Sequence, residues 1–257
     1  MIWQETADVA VIVMLTQTAE SGREKCHQYF PLDVEGEAFP LDPIDETDAA
    51  TYTARGSIKL LEADFDESSR STIRKLLLTY GEKSKTVWHL LYGGWPDFAV
   101  PEDENCAALL ELIKISNEKN PIANNPRIIH CSAGVGRSGT FIALEYLLTQ
   151  LDSGALEESK DEEDMIYDVV NRLREQRMTM VQSEVQYQFL YQVVREQLLQ
   201  KKATAVAAAG NGEPSPKLRK TTSRAFFSGG REGSDAGIAS GTSEKVRQDD
   251  DITPGAP

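Results

Sequence analysis

The run "VAVIVML", residues 9–15, is apolar at successive rather than alternate positions, and β-branched residues dominate it. That pattern predicts a strand buried on both faces. A polar, glycine-containing stretch follows and predicts a turn into a second short strand around Cys26–Phe30. Residues 32–56 scatter Pro, Gly and Asp, as loops with brief strand pairing do. Three β-rich stretches come next: Ser57–Asp66, Ser71–Tyr80 and "KTVWHLLYGG" from Lys85. Together they predict an antiparallel meander.

The period changes after "WPDFAVPEDENC". Glu102, Asp103 and Glu104 behind Pro101 suit the first turn of a helix, and Leu109, Leu110, Leu112 and Ile113 give it an apolar stripe. "NPIANNP" breaks that helix before a short strand, "RIIH". Phe141, Leu144, Leu147, Leu148 and Leu151 then recur at helical spacing. The acidic run 157–164 reads as a solvated connection. Two further helices are predicted, Met165–Arg177 and Ser183–Gln200. Beyond Lys202 the composition turns to Ala, Gly, Ser, Thr, Pro and charge, which cannot bury enough apolar surface to offset ordering. Residues 1–202 are therefore expected to form the domain and 203–257 a disordered tail.

Composition narrows the functions. With 257 residues, 40% of them hydrophobic, the chain has material for one substantial core. Its net charge of -14 argues against a surface that gathers nucleic acid or anionic lipid, so an anionic substrate needs a local positive site. Cys26, Cys106 and Cys131 form neither a disulfide framework nor a CxxC knuckle, which fits a reducing, intracellular compartment. The run at 9–15 is too short to span a bilayer, and Glu5 and Asp8 precede it where a signal peptide carries Lys or Arg. No membrane insertion is expected.

One stretch carries chemistry: "IIHCSAGVGRSGTFIALEYLL", residues 128–148. A strand enters Cys131, a loop of small residues follows, and a helix begins behind it. Ala133, Gly134 and Gly136 let the backbone curl so that successive N–H groups point into one small cavity. The helix start adds its positive dipole end, and Arg137 can grip two oxygens through its planar fork. The same donors favour a thiolate, which makes Cys131 a candidate nucleophile for in-line attack on phosphorus. The alternative is a small core cysteine after a strand. Asp97, in "WPDFAVP", is a candidate proton donor on a loop restricted by Trp95 and two prolines, with Gly93 and Gly94 as hinges. The competing role is an Asp in an ordinary turn.

"HCSAGVGRSGT", "WPDFAVP" and "REQRMTMVQSEVQYQF" together closely resemble the catalytic domain of the cysteine-dependent protein-tyrosine phosphatases, of the tyrosine-specific non-receptor type. The resemblance covers nearly all of residues 1–200. It implies an α/β (α+β) fold, a twisted mixed β-sheet flanked by helices. It also implies that Cys131 is the nucleophile and Arg137 the phosphate clamp, with N–H groups from Ser132, Ala133, Gly134, Val135, Gly136 and Arg137 lining the cradle. Asp97 would protonate the tyrosine leaving group and then deprotonate water. Ser138 would hydrogen-bond the sulfur, and Gln182 and Gln186 would position the water. Gln186 also reads locally as a capping box with Ser183. His130 would steady the loop from behind, or be a satisfied core histidine. Trp95 would anchor the acid loop and Arg177 support it. Glu20 and Lys25 match a loop that approaches the site, against an ion pair or plain surface charge.

The family pattern has further segments upstream, including a phosphotyrosine-recognition loop, whereas Met1 falls inside that pattern. The chain therefore reads as an N-terminally incomplete catalytic domain, and tyrosine-only specificity stays open beside dual specificity or a binding module without turnover. The expected partners are phosphotyrosine proteins, in the cytoplasm or nucleus. No cofactor is implied: His27, His89 and His130 form no evident metal cluster.

Overall fold

Strand β1 (Val9–Met14) lies between two parallel neighbours, β7 (Lys83–Tyr92) and β8 (Ile128–His130), which is why it is apolar on both faces. The computed structural model describes residues 1–41, 56–96, 99–156 and 164–209. The six-stranded sheet has the order β4-β5-β6-β7-β1-β8, with β4 at Phe39–Leu41, β5 at Gly56–Asp66 and β6 at Ser71–Tyr80. From β4 to β7 neighbours are antiparallel, as the meander pattern predicts. A two-stranded hairpin, β2 (Ala19–Glu20) with β3 (Arg23–Glu24), projects after β1.

The two faces of the sheet are covered differently. Val11, Val13, Leu15, Leu90 and Tyr92 pack under four helices: α2 (Glu104–Glu118), α3 (Gly136–Ser153), α4 (Met165–Gln176) and α5 (Glu184–Ala209). α1 (Ile2–Glu5) precedes β1. On the other face Ala10, Ile12, Met14, Ile58, Leu60, Leu76 and Val87 are capped by Phe30, with Ile2, Trp3, Cys26 and Tyr29 against them. Asn125 ties the β8 approach to β1: its Oδ1 accepts from Ala7 N–H at 2.8 Å, and its Nδ2 donates to Val9 O at 2.7 Å.

Two expectations need correction. Cys26–Phe30 is not a strand. Tyr29 and Phe30, consecutive in sequence, both pack on the His89 ring, and a strand of period two would send one of them outward. The last helix also runs to Ala209 instead of stopping near Gln200, so residues 203–209 are helical and not tail. Its "ATAVAAA" end is rich in the strongest helix former. The acidic run 157–163 and the remaining tail lie outside the described residues.

Leu144, fully buried on α3, is central to the helical side of the core. Leu144→Ala should cost about 2–5 kcal/mol in urea unfolding with an unchanged m-value. A loss of less than about 1 kcal/mol would place it outside the packed core.

Candidate active site

The sheet delivers Cys131 directly: β8 ends at His130, and the loop 131–135 turns into α3 at Gly136. Gly134 has φ +71°, where a Cβ would be strained, and the turn it makes points its N–H at Cys131 Sγ, 3.3 Å away. Cys131 is 8% exposed, at the floor of a cavity of about 150 Å³. Lys25, Ser132, Ala133, Gly136, Arg137, Gln182 and Gln186 line the rest of it. These residues come from three separate stretches of the chain, at 25, 131–137 and 182–186.

Arg137 is 4% exposed and held from behind. Its Nη1 and Nη2 donate to Glu20 Oε1 and Oε2, each at 2.7 Å, and Nη1 also reaches Leu15 O at 3.1 Å. Glu20 is itself fixed by Thr16 Oγ1 at 2.9 Å and Gln17 N–H at 3.1 Å. The bond from Arg137, with those from Gln17 and Thr16, outweighs burial and holds the Glu20 carboxyl down at about 2. Glu20 is therefore an ion-pair partner of the guanidinium and not surface charge. Lys25 stands at the cavity wall.

Behind the loop runs a polar chain from the fully buried His89 through the half-buried Tyr29 and His130. Burial lowers both His130 and His89, the latter to about 3 with help from the Arg74 charge, so both rings are neutral near pH 7. Burial raises Tyr29 above the ordinary phenol range, so its O–H has one proton to give. His130 Nδ1 lies 3.2 Å from Cys131 O, a carbonyl that can only accept, so Nδ1 carries the proton. His130 Nε2 must then accept from Tyr29 O–H at 2.7 Å, and His89 Nε2–H must donate to Tyr29 at 3.0 Å. His130 thus steadies the Cys131 carbonyl, and the steadying reaches back to β7.

On the far side Gln182 and Gln186 close over the helix start: a Cβ on Gly136 would lie 3.1 Å from Gln182 Oε1 and 3.2 Å from Gln186 Nε2. Gln186 Oε1 accepts from Gln182 N–H at 3.1 Å and Ser183 N–H at 3.3 Å, while Ser183 Oγ accepts from Gln186 N–H at 3.2 Å. The capping box is real, and it is what brings Gln186 to the cavity. The segment before it is strained: Thr179 and Val181, both β-branched, have φ of +63° and +57°. Such positions cost of order 1–3 kcal/mol each.

Three expected roles come out differently or lie out of view. Ser138 is buried, but among the described residues its Oγ has no hydrogen-bond partner, so the expected bond to sulfur is not formed. Arg177 donates to Ala133 O at 3.1 Å, which braces the Cys131 loop, a contact additional to the expected support of the acid loop. Asp97 lies outside the described residues. On either side of it in the chain, Trp95 is buried, packs with its ring tilted against Phe189 and donates from Nε1 to Ala99 O at 3.0 Å. Pattern reasoning missed Tyr29, His89 and Arg174. Tyr29 follows polar His27 and Gln28 with no motif around it, His89 stands in the apolar run "VWHLLY", and Arg174 on a mostly polar helix gives no signal beyond its place ahead of Arg177.

Comparison with known proteins decides the affiliation. The family model described as protein-tyrosine phosphatase matches residues 1–196. The chain belongs to the protein-tyrosine phosphatase family. It is 36% identical over 193 residues to human tyrosine-protein phosphatase non-receptor type 7, covering 74% of this chain and 45% of that protein. It is 35% identical over 201 residues to human phosphatidylinositol phosphatase PTPRQ, covering 78% of this chain and 8% of that protein. Among solved structures, PTPN18 in complex with HER2 phosphopeptides superposes with a TM-score of 0.60 at 28% identity, covering 76% of this chain and 64% of that one. The chain thus spans less than two thirds of each.

The histidine pKa values fix an acid limb of stability. His89 takes up a proton near pH 6.5 when unfolded but only near 3 when folded, so its contribution is complete above 6.5 and is lost as pH falls towards 3. Glu20 adds loss in the same direction below 4.5. Between pH 6.5 and 4.5 the fall in Tm should be smaller for His89→Gln, whose amide still donates to Tyr29, than for the parent chain. An identical fall in both would show that His89 titrates normally in the fold.

Proposed function

We propose that the chain hydrolyses phosphotyrosine in proteins through a phosphocysteine intermediate. The observation that carries this is the convergence of Cys131 Sγ, the Gly134 N–H and the Glu20-clamped Arg137 on one cavity. In the first step Sγ bonds to phosphorus as the ester P–O bond breaks, and Asp97 gives its proton to the departing tyrosine oxygen. Arg137 and the loop N–H groups hold the equatorial oxygens while charge redistributes. In the second step a water oxygen, placed by Gln182, bonds to phosphorus as P–S breaks, and Asp97 takes the water proton. Membership of the family and the phosphopeptide-bound PTPN18 relative support the substrate class.

One observation favours a second substrate, a phosphoinositide headgroup: the PTPRQ relative is named for it. Both substrates are phosphate monoesters and would use the same cradle.

Phosphate release from a phosphotyrosine peptide should fall to background in Cys131→Ser and by about 10²–10⁴-fold in Asp97→Ala. Wild-type turnover retained by Cys131→Ser would sink the assigned nucleophile. Faster turnover of a soluble short-chain phosphoinositide than of the peptide would transfer the assignment to lipid.

A further inference from the structure

Gln182 sits at the end of a backbone segment that the chain does not hold in place by local preference. Thr179 and Val181 occupy the left-handed region that favours glycine, and neither is glycine. Two sets of bonds hold this segment. From the cradle side, Val135 O accepts both Val181 N–H and Gly139 N–H, each at 3.1 Å. Gly139 makes that approach possible, since a Cβ there would lie 2.5 Å from Val181 N. From the helix side, Arg174 on α4 donates Nε–H to Met180 O and Nη2–H to Val181 O, both at 3.0 Å.

A planar guanidinium satisfying two consecutive carbonyls fixes the peptide between them in orientation as well as position. Met180 and Val181 are buried, so loss of that fork leaves carbonyls short of a donor in a strained segment. The residue that follows is Gln182, whose side chain stands over Gly136 at the cavity. Arg174 itself does not line that cavity.

We propose that Arg174 is a positioning residue for the second chemical step: it holds the strained 179–181 segment so that Gln182 presents its amide to the attacking water. This rests on the proposed phosphocysteine mechanism. The first step, in which the S–P bond forms, uses Asp97 together with Cys131 and Arg137, and the bonds Arg174 makes go to Met180 O and Val181 O instead of to Cys131 or Arg137. The second step, in which the water O–P bond forms and S–P breaks, depends on where Gln182 stands. A displacement of about 1 Å in such a group is enough to cost about 10²-fold in rate.

The test is pre-steady-state release of nitrophenol from p-nitrophenyl phosphate by the full chain. Arg174→Met, which keeps the stem and removes every donor, should give a burst of one equivalent per enzyme at the parent's rate, followed by steady turnover about 10- to 100-fold slower. Arg174→Lys, which keeps the charge without the fork, should show the same split at smaller size and guards against a variant that does not fold. In a Gln182→Ala background, adding Arg174→Met should slow turnover no further, because the two act as one unit. Equal slowing of burst and steady state, no change in either, or full additivity with Gln182→Ala would each overturn the proposal. Failure of the underlying mechanism is distinguishable: Cys131→Ser would then turn over as the parent does.

Discussion

The site is organised around the bidentate pair between Arg137 and Glu20. It joins the first turn of α3 to the hairpin after β1, two places that are 117 residues apart in the chain. The guanidinium is almost wholly buried, and a buried charge without a partner is strongly destabilising, so the pair is a condition for placing a cation at the base of the cavity at all. Glu20 also removes the guanidinium's freedom to rotate. What reaches the cavity is an oriented fork and not a mobile charge. In a chain with a formal net charge of -14, such a local, fixed cation is the means by which an anion can be held.

A second constraint comes from behind the loop. A proton order runs from His89 through Tyr29 to His130 and ends on the Cys131 carbonyl. Each donor in it is assigned by the acceptor ahead of it, and each ring is kept neutral by burial. Arg74, the cross-strand neighbour of His89, places its guanidinium over Phe30 and brings a positive charge to the far end. The sheet therefore supports the cradle chemically as well as sterically. Arg177 on Ala133 and the paired bonds on Val135 complete the support from the helical side.

Much of this was legible in the residues, and what was not has a physical reason. The helices α3 and α4 follow from helical spacing, because each has one face in the core, and the strands β5, β6 and β7 from β-rich runs, with β7 sending Leu90 and Tyr92 to one side of the sheet and Val87 to the other. The loop from Cys131 to Arg137 was legible because small residues, a cysteine and an arginine at fixed offsets have few other uses together. Cys26–Phe30 misled because aromatic residues favour strands, whereas here two consecutive rings both turn inward onto His89. The Arg137–Glu20 geometry and the Arg174 bonds were invisible, since they join residues that no local pattern links. The helical 203–209 segment shows the limit of composition: a stretch too poor to build a core can still extend a helix already nucleated.

The account stands on covalent participation of one sulfur atom. Acid quenching during turnover of a phosphotyrosine peptide, followed by mass spectrometry of the proteolysed enzyme, tests it most directly. The account predicts one phosphoryl group on the peptide carrying Cys131, disappearing once substrate is exhausted. Sustained turnover with Cys131 never modified, or with the phosphoryl group on another residue, would contradict it.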